Sequence, residues 1–137
     1  MSTPIKTLVL LKNETRTALP TIADQNNFAY SAMTLAVDIT GVGTGGNVPS
    51  LTFTLQGKDI VSGKYYDIVS TAALATVGTR VIQICPDLTA AASAAGSVAT
   101  GAELQKVAAM IPKTWRVVIS GTAGSCTYSV GAELSDC

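Results

Sequence analysis

The stretch Leu51–Tyr66, LTFTLQGKDIVSGKYY, is where residue types and spacing come nearest to chemistry. Gly63-Lys64 beside Ser62 and Asp59 has the composition of a phosphate-binding loop, in which backbone amides at a helix N-terminus cradle an anion. The full motif ends Gly-Lys-Ser/Thr, and the final hydroxyl holds a magnesium ion. Here Tyr65 follows Lys64, Gly57 and Gly63 are six positions apart, and YYDIVS reads as a strand, not a helix. The stretch is therefore expected to be a β-hairpin. Leu51–Gln56 forms one strand, and Gly57 supplies a bulge or a positive φ where that strand leaves the sheet. Ser62-Gly63 makes the turn, and Tyr65–Ser70 returns antiparallel. Lys58, Asp59 and Lys64 then lie on an exposed corner, with Asp59 accepting local backbone bonds. Together with Arg116 they are the candidate partner-contact residues.

Other chemistries have less support. The chain has no histidine, which removes the Ser-His and Cys-His pairs, the metal-bound imidazole and the commonest general base. Asp59 and Asp67 could be paired as acid and base, but nothing nearby in sequence raises either pKa. No D-x-D-x-D run suggests calcium, and no G-x-G-x-x-G leads into a helix. Cys85, Cys126 and Cys137 form no C-x-x-C. Their odd number and wide spacing argue against a disulfide framework. Cys85 and Cys126 are expected as buried small hydrophobes, and Cys137 as an exposed free thiol. The expectation is a non-enzyme with no catalytic residue, no cofactor and no metal.

The elements that must position the corner are strands. Met33, Leu35, Val37 and Ile39 alternate with Thr34, Ala36, Asp38 and Thr40. Leu51, Phe53 and Leu55 alternate with Thr52, Thr54 and Gln56; Trp115, Val117 and Ile119 with Thr114, Arg116, Val118 and Ser120. Cys126, Tyr128, Val130, Ala132 and Leu134 repeat the pattern near the end. Period-two alternation places one set toward a core and the other outward. Trp115 thus points inward, where it cannot serve as a sugar platform, and Arg116 points outward. Lys6–Leu11, Tyr65–Ser70 and Thr79–Ile84 complete about seven or eight strands, the first two expected to be covered in part on both faces. The turns are Gly-rich, as in GVGTGGNVPS (Gly41–Ser50), read as a flexible loop.

The fold class is therefore all-β: a single antiparallel β-sandwich of jelly-roll or Greek-key kind over residues 1–137. Residues 1–30 include a stretch suited to an extended N-terminal arm that crosses the fold. Residues 87–112 form one long Ala/Gly-rich connection. Within it GAELQKVAAM (Gly101–Met110) suits a short helix with Leu104, Val107 and Ala108 on one face, ended by Pro112.

The totals agree. Of 137 residues, 47% are hydrophobic and only 13% charged, with nine basic and nine acidic side chains balancing to zero. Such a surface lacks the clustered Lys and Arg that nucleic acid needs, and it favours association over a solitary monomer. The N-terminal MSTPIKTLVLLKNETRT carries only a short apolar run and no cleavage-type site, so neither a signal peptide nor a membrane span is expected. Synthesis in a cytoplasm is the expectation.

Three stretches carry a resemblance: LTFTLQGKDIVSGKYYDIVSTAAL, GTRVIQICPDLTA and IPKTWRVVISGTAGSCTYSVGAEL. In order and wording they resemble a family of small virion proteins of tailed bacteriophages, over about residues 50–135. The resemblance implies a β-sandwich on the outer capsid surface, a decoration or cement protein. Its partners would be the major capsid protein and copies of itself, with no direct contact to nucleic acid or membrane. A homo-oligomer, trimer or dimer, is natural at symmetry axes. The Ala/Gly-rich insertion near residues 90–101 is longer than the family pattern. The competing reading is a tail- or fibre-associated module that binds carbohydrate or a receptor, which would need exposed aromatic side chains among the seven present.

Overall fold

A computed structural model of the chain describes residues 5–27, 29–86, 96–98 and 102–136. The alternating segments form two sheets that pack face to face as an all-β sandwich. The first has six strands in the order β1 (Lys6–Arg16), β10 (Cys126–Ser135), β3 (Ala32–Val42), β6 (Gly78–Ile84), β8 (Ala102–Val107) and β7 (Gly96–Val98). The second has four: β2 (Gln25–Asn26), β9 (Thr114–Thr122), β4 (Ser50–Lys58) and β5 (Tyr65–Ser70). The chain changes sheet six times: on entering and leaving β2, between β3 and β4, between β5 and β6, and on entering and leaving β9.

The alternation read from sequence is the alternation of burial. Leu35, Ile39, Phe53, Trp115 and Val130 have no measurable exposure, and Leu51, Leu55, Ile82 and Tyr128 are nearly as closed. Because the side-chain period is two, a one-residue slip in any of these strands would turn its whole apolar set to solvent, so burial fixes the register. Each such side chain contributes about 1.5–3 kcal/mol by leaving water. Phe53 and Tyr128 meet edge to face across the layers, with ring centroids 5.7 Å apart and planes at 77°. They join β4 of one sheet to β10 of the other.

The two strands expected to be partly covered on both faces, β1 and β5, each pair with one neighbour only and are sheet edges. Val9 is 75% exposed, whereas Leu8, Leu10 and Leu11 pack against the core. Register shifts interrupt β1 twice, between Val9 and Leu11 and between Leu11 and Glu14. Such bulges twist an edge and make it a poor template for another strand. Arg16 fastens the bulged end: its guanidinium donates to the carbonyls of Lys12 (2.7 Å) and Tyr128 (2.7 Å) and lies 4.8 Å from the Tyr128 ring centre. Beyond it the chain passes from the six-stranded to the four-stranded sheet, with Ile22 in the core, and enters β2 at the edge of the latter.

Several expectations are corrected. The short helix expected in Gly101–Met110 is strand β8, which runs parallel to β6 from Thr79↔Ala102 to Ile84↔Val107. Good helix formers yield here because the open edge of β6 offers a full ladder of backbone partners, and tertiary pairing outweighs weak local propensity. The sandwich is therefore not purely antiparallel. With β2, β7 and β8 added, the described strands outnumber the seven or eight expected. The rest of the expected long loop, residues 87–95 and 99–101, lies outside the described residues.

The loop Gly41–Ser50 is tied down. Gly43 N donates to Ser125 O (2.7 Å) and Ser125 N to Asn47 O (2.8 Å), while Gly45–Asn47 makes a 3-10 turn. The bulge expected at Gly57 lies on the other strand: the β4–β5 register shifts between Leu55↔Val69 and Gln56↔Asp67, leaving Ile68 as the extra residue. Gly57 is needed for space, since a Cβ there would fall 2.5 Å from the Tyr66 ring and 2.6 Å from Pro112. Cys85 is buried and disulfide-bonded, whereas Cys126 is a buried free thiol. Spacing along the chain carries no information on which sulfurs meet in the fold. Cys137 lies outside the described residues.

Candidate functional site

The corner between β4 and β5 is a hydrogen-bonded turn. Asp59 N donates to Lys64 O (2.8 Å) and Gly63 N to Asp59 O (2.7 Å), with Gly63 at φ 74°. The Asp59 carboxylate accepts from Ser62 Oγ (2.7 Å) and Val61 N (3.0 Å), and Ser62 Oγ accepts from Lys64 N (3.2 Å). The bond from Ser62, then that from Val61 N, favour the ionised form and hold the carboxyl below its ordinary value. Both carboxylate oxygens are thus occupied inside the turn. Asp59 shapes the corner. Lys64 stands exposed beside it, and the tip carries two exposed aliphatic side chains, Ile60 and Val61.

Lys58 and Arg116 come together one step down the hairpin, around Tyr65. Register places Gln56 opposite both Arg116 on β9 and Asp67 on β5, and Lys58 opposite Tyr65. The Arg116 guanidinium carbon lies 3.4 Å from the centre of the Tyr65 ring, and its Nε donates to Gln56 Oε1 (2.8 Å). Lys58 Nζ is 5.5 Å from the same ring centre and 3.7 Å from Asp24 Oδ2. That oxygen also accepts the Tyr65 hydroxyl proton at 2.7 Å. Gln56 Nε2 donates to Asp67 Oδ1 (2.7 Å), and Thr54 and Ser70 exchange a hydroxyl bond of 2.9 Å. The outer face of the four-stranded sheet therefore carries a polar network with two cations over one tyrosine. Planar guanidinium against a ring is the favoured geometry for such a contact.

Of the four residues expected from sequence, Lys58 and Arg116 share this cluster, while Asp59 and Lys64 belong to the turn above it. Asp67 accepts a hydrogen bond from Gln56 and is not paired with Asp59. Sequence reading missed Asp24, Gln56 and Tyr65. Gln56 had a signal, since it sits in the polar half of its strand's alternation. Asp24 had none, because it reaches Tyr65 from 41 positions away in the crossing segment.

The outer face of the six-stranded sheet is different. A shallow cavity of about 290 Å³ lies there, lined by Thr7, Val9, Thr34, Ala36, Gly131 and Glu133 among others. Val9 pairs with Gly131, and Gly131 with Ala36, so small side chains meet in the middle of the sheet. A second hollow of about 160 Å³ lies between Pro20–Ile22 and the Arg116–Ile119 stretch of β9. Among the described residues no group of three or more His, Cys, Asp or Glu could hold a metal ion, and no helix is long and apolar enough to cross a membrane.

Compared with protein-family models, curated proteins and solved structures, the chain matches none of them.

Proposed function

We propose that this chain is a non-enzymatic structural protein of a tailed-bacteriophage virion, a decoration or cement protein. It binds the assembled head and clamps adjacent major capsid subunits. The observation that carries this reading is the pre-formed polar face of the four-stranded sheet. Lys58, Tyr65, Arg116, Gln56 and Asp24 already hold one another across three strands and the crossing segment, so a partner meets a surface with little entropy left to lose. A contact of modest strength becomes strong when each module engages several neighbours on an ordered lattice. Binding the assembled state and not its separate subunits stabilises the assembled state by mass action. The wording of Leu51–Leu74 and Ile111–Leu134, which resembles small virion proteins, supports the same reading.

A glycan- or receptor-binding tail module is the alternative. Among the described aromatic residues Tyr66 is the most open, at 48%, while the Tyr65 ring is covered on one side by Arg116. A single open ring is a small platform for a sugar.

The test is co-sedimentation of purified protein with phage heads that lack it, beside unassembled shell subunits. Stoichiometric binding to heads alone is expected, with heads gaining resistance to heat and to low ionic strength. Lys58→Ala/Arg116→Ala should bind more weakly. Failure of the parent protein to sediment with heads would remove the clamp reading, and specific retention on a glycan array would favour the alternative.

A further inference from the structure

We propose that the hairpin tip of one copy docks into the outer-face groove of the six-stranded sheet of a second copy. The two halves of this contact are on every chain, and they are different patches.

The tip is a rigid apolar knob. Val61 is 96% exposed and Ile60 67%, an unusual load for a turn of six residues. Turns normally carry polar side chains at their tips, where nothing covers them. This one is also held in shape by the two backbone bonds between Asp59 and the Gly63-Lys64 pair and by the bonds that Ser62 Oγ and Val61 N donate to the Asp59 carboxylate. The knob is therefore presented in one conformation before it binds.

The groove is a socket of matching character. Ala36 and Gly131 are small and adjacent across β3 and β10, and Val9 forms an apolar wall on β1. A Cβ on Gly131 would meet only Leu8 O, at 3.6 Å, so the floor is open to an incoming side chain. The cavity of about 290 Å³ is of the size that one or two aliphatic side chains fill.

Charge selects a second copy as the occupant. Lys64 stands next to the knob, and Glu133 lines the groove. The exposed cation of the tip thus meets an opposite charge at the socket, while the Asp59 carboxylate stays engaged by Ser62 and Val61 inside the turn. With nine positive and nine negative side chains, no net repulsion opposes the approach of like copies. Because knob and socket are distinct surfaces, the contact is head-to-tail and builds rings or open chains, not a closed two-fold dimer. It is a small contact and should be reversible. It involves no shell subunit, so it can hold or fail independently of the head-binding reading.

Sedimentation analysis of the purified chain over a concentration series tests it. The parent should associate reversibly as concentration rises. Val61→Asp should weaken association about tenfold or more by removing the buried apolar contact. Gly131→Gln, which fills the socket, should do the same. An equimolar mixture of these two variants retains one good knob and one good socket, so it should give a 1:1 heterodimer and nothing larger. Far-UV circular dichroism of both variants checks that they fold. Lys64→Glu and Glu133→Lys should each weaken association, and the double variant should regain it. A parent that stays monomeric at its highest soluble concentration overturns the proposal. So does either single variant associating as well as the parent, a mixture that stays monomeric, or a charge swap that restores nothing.

Discussion

The two sheets share one core and differ on their outer faces. Outside the four-stranded sheet, Thr54–Ser70, Asp67–Gln56–Arg116 and Lys58–Asp24–Tyr65 bond across strands. Outside the six-stranded sheet, Val9, Gly131 and Ala36 meet at a nearly bare hollow. Both faces come from the same period-two pattern, whose inward half is dictated by burial. The outward half is free of that demand, and its two solutions differ in kind. One face satisfies itself with side-chain partners. The other also has side-chain bonds, Thr15–Thr127 and Thr79–Asp38, but leaves a hollow among Val9, Ala36 and Gly131.

The largest effect should come from the layer both sheets share. Phe53→Ala removes a fully buried ring and its edge contact to Tyr128, with an expected loss of about 3–5 kcal/mol. Because Phe53 belongs to the four-stranded sheet and Tyr128 to the six-stranded one, the loss should lower a single cooperative transition. Urea unfolding followed by tryptophan fluorescence, which reports Trp115 on β9, should coincide with unfolding followed by far-UV circular dichroism. Separate midpoints would mean that the sheets are two stability units and that their common core is not what joins them.

The outer faces should then separate from one another. Arg116→Ala removes the stack on Tyr65 and the Gln56 bond, at an expected cost of about 1–2 kcal/mol. Arg116→Lys should recover only part of this, since an ammonium cannot lie flat on the ring. Gly131→Gln on the opposite face should change stability by no more than about 0.5 kcal/mol, because its side chain enters open space. Equal costs at the two positions, measured by the same urea titration, would erase the distinction between a self-satisfied face and a vacant one.

The alternation made the inner layer legible: the residues it placed inward, from Met33 to Leu134, are buried. It also placed Arg116 outward and ruled Trp115 out of the surface. What it could not carry was anything decided by long-range pairing. AELQKV has helix-forming composition and becomes a strand because β6 offers an edge. The Cys85 disulfide depends on which sulfurs the fold brings together. Asp24 joins the Tyr65 cluster only because the crossing segment passes that end of the sheet. A glycine in a strand suggests a bulge or a positive φ, yet Gly57 has neither and makes room for Tyr66 and Pro112. The hairpin corner is legible in the sequence because its signals are local: a missing hydroxyl after Lys64, and a strand following it.

The smallest effect should be confined to that corner and should depend on pH. Asp59 is fully exposed, and its carboxyl is held below its ordinary value chiefly by the Ser62 hydroxyl and then by Val61 N. A lowered pKa in the folded chain means that the carboxylate's support of the turn is complete above the unfolded value and fades as pH falls through the folded one. Acid should therefore loosen the turn without unfolding the sandwich. The amide resonances of Val61 and Lys64 should shift together as pH drops below the ordinary aspartate range, while those of Phe53 and Val130 stay in place. Asp59→Asn keeps an acceptor but carries no charge, so it should abolish this titration and leave the fold intact. If the corner amides of the parent and of Asp59→Asn titrate alike, the turn is held by its backbone bonds alone, and the contrast between a rigid knob and a bare socket must rest on Gly63 and the β4–β5 register.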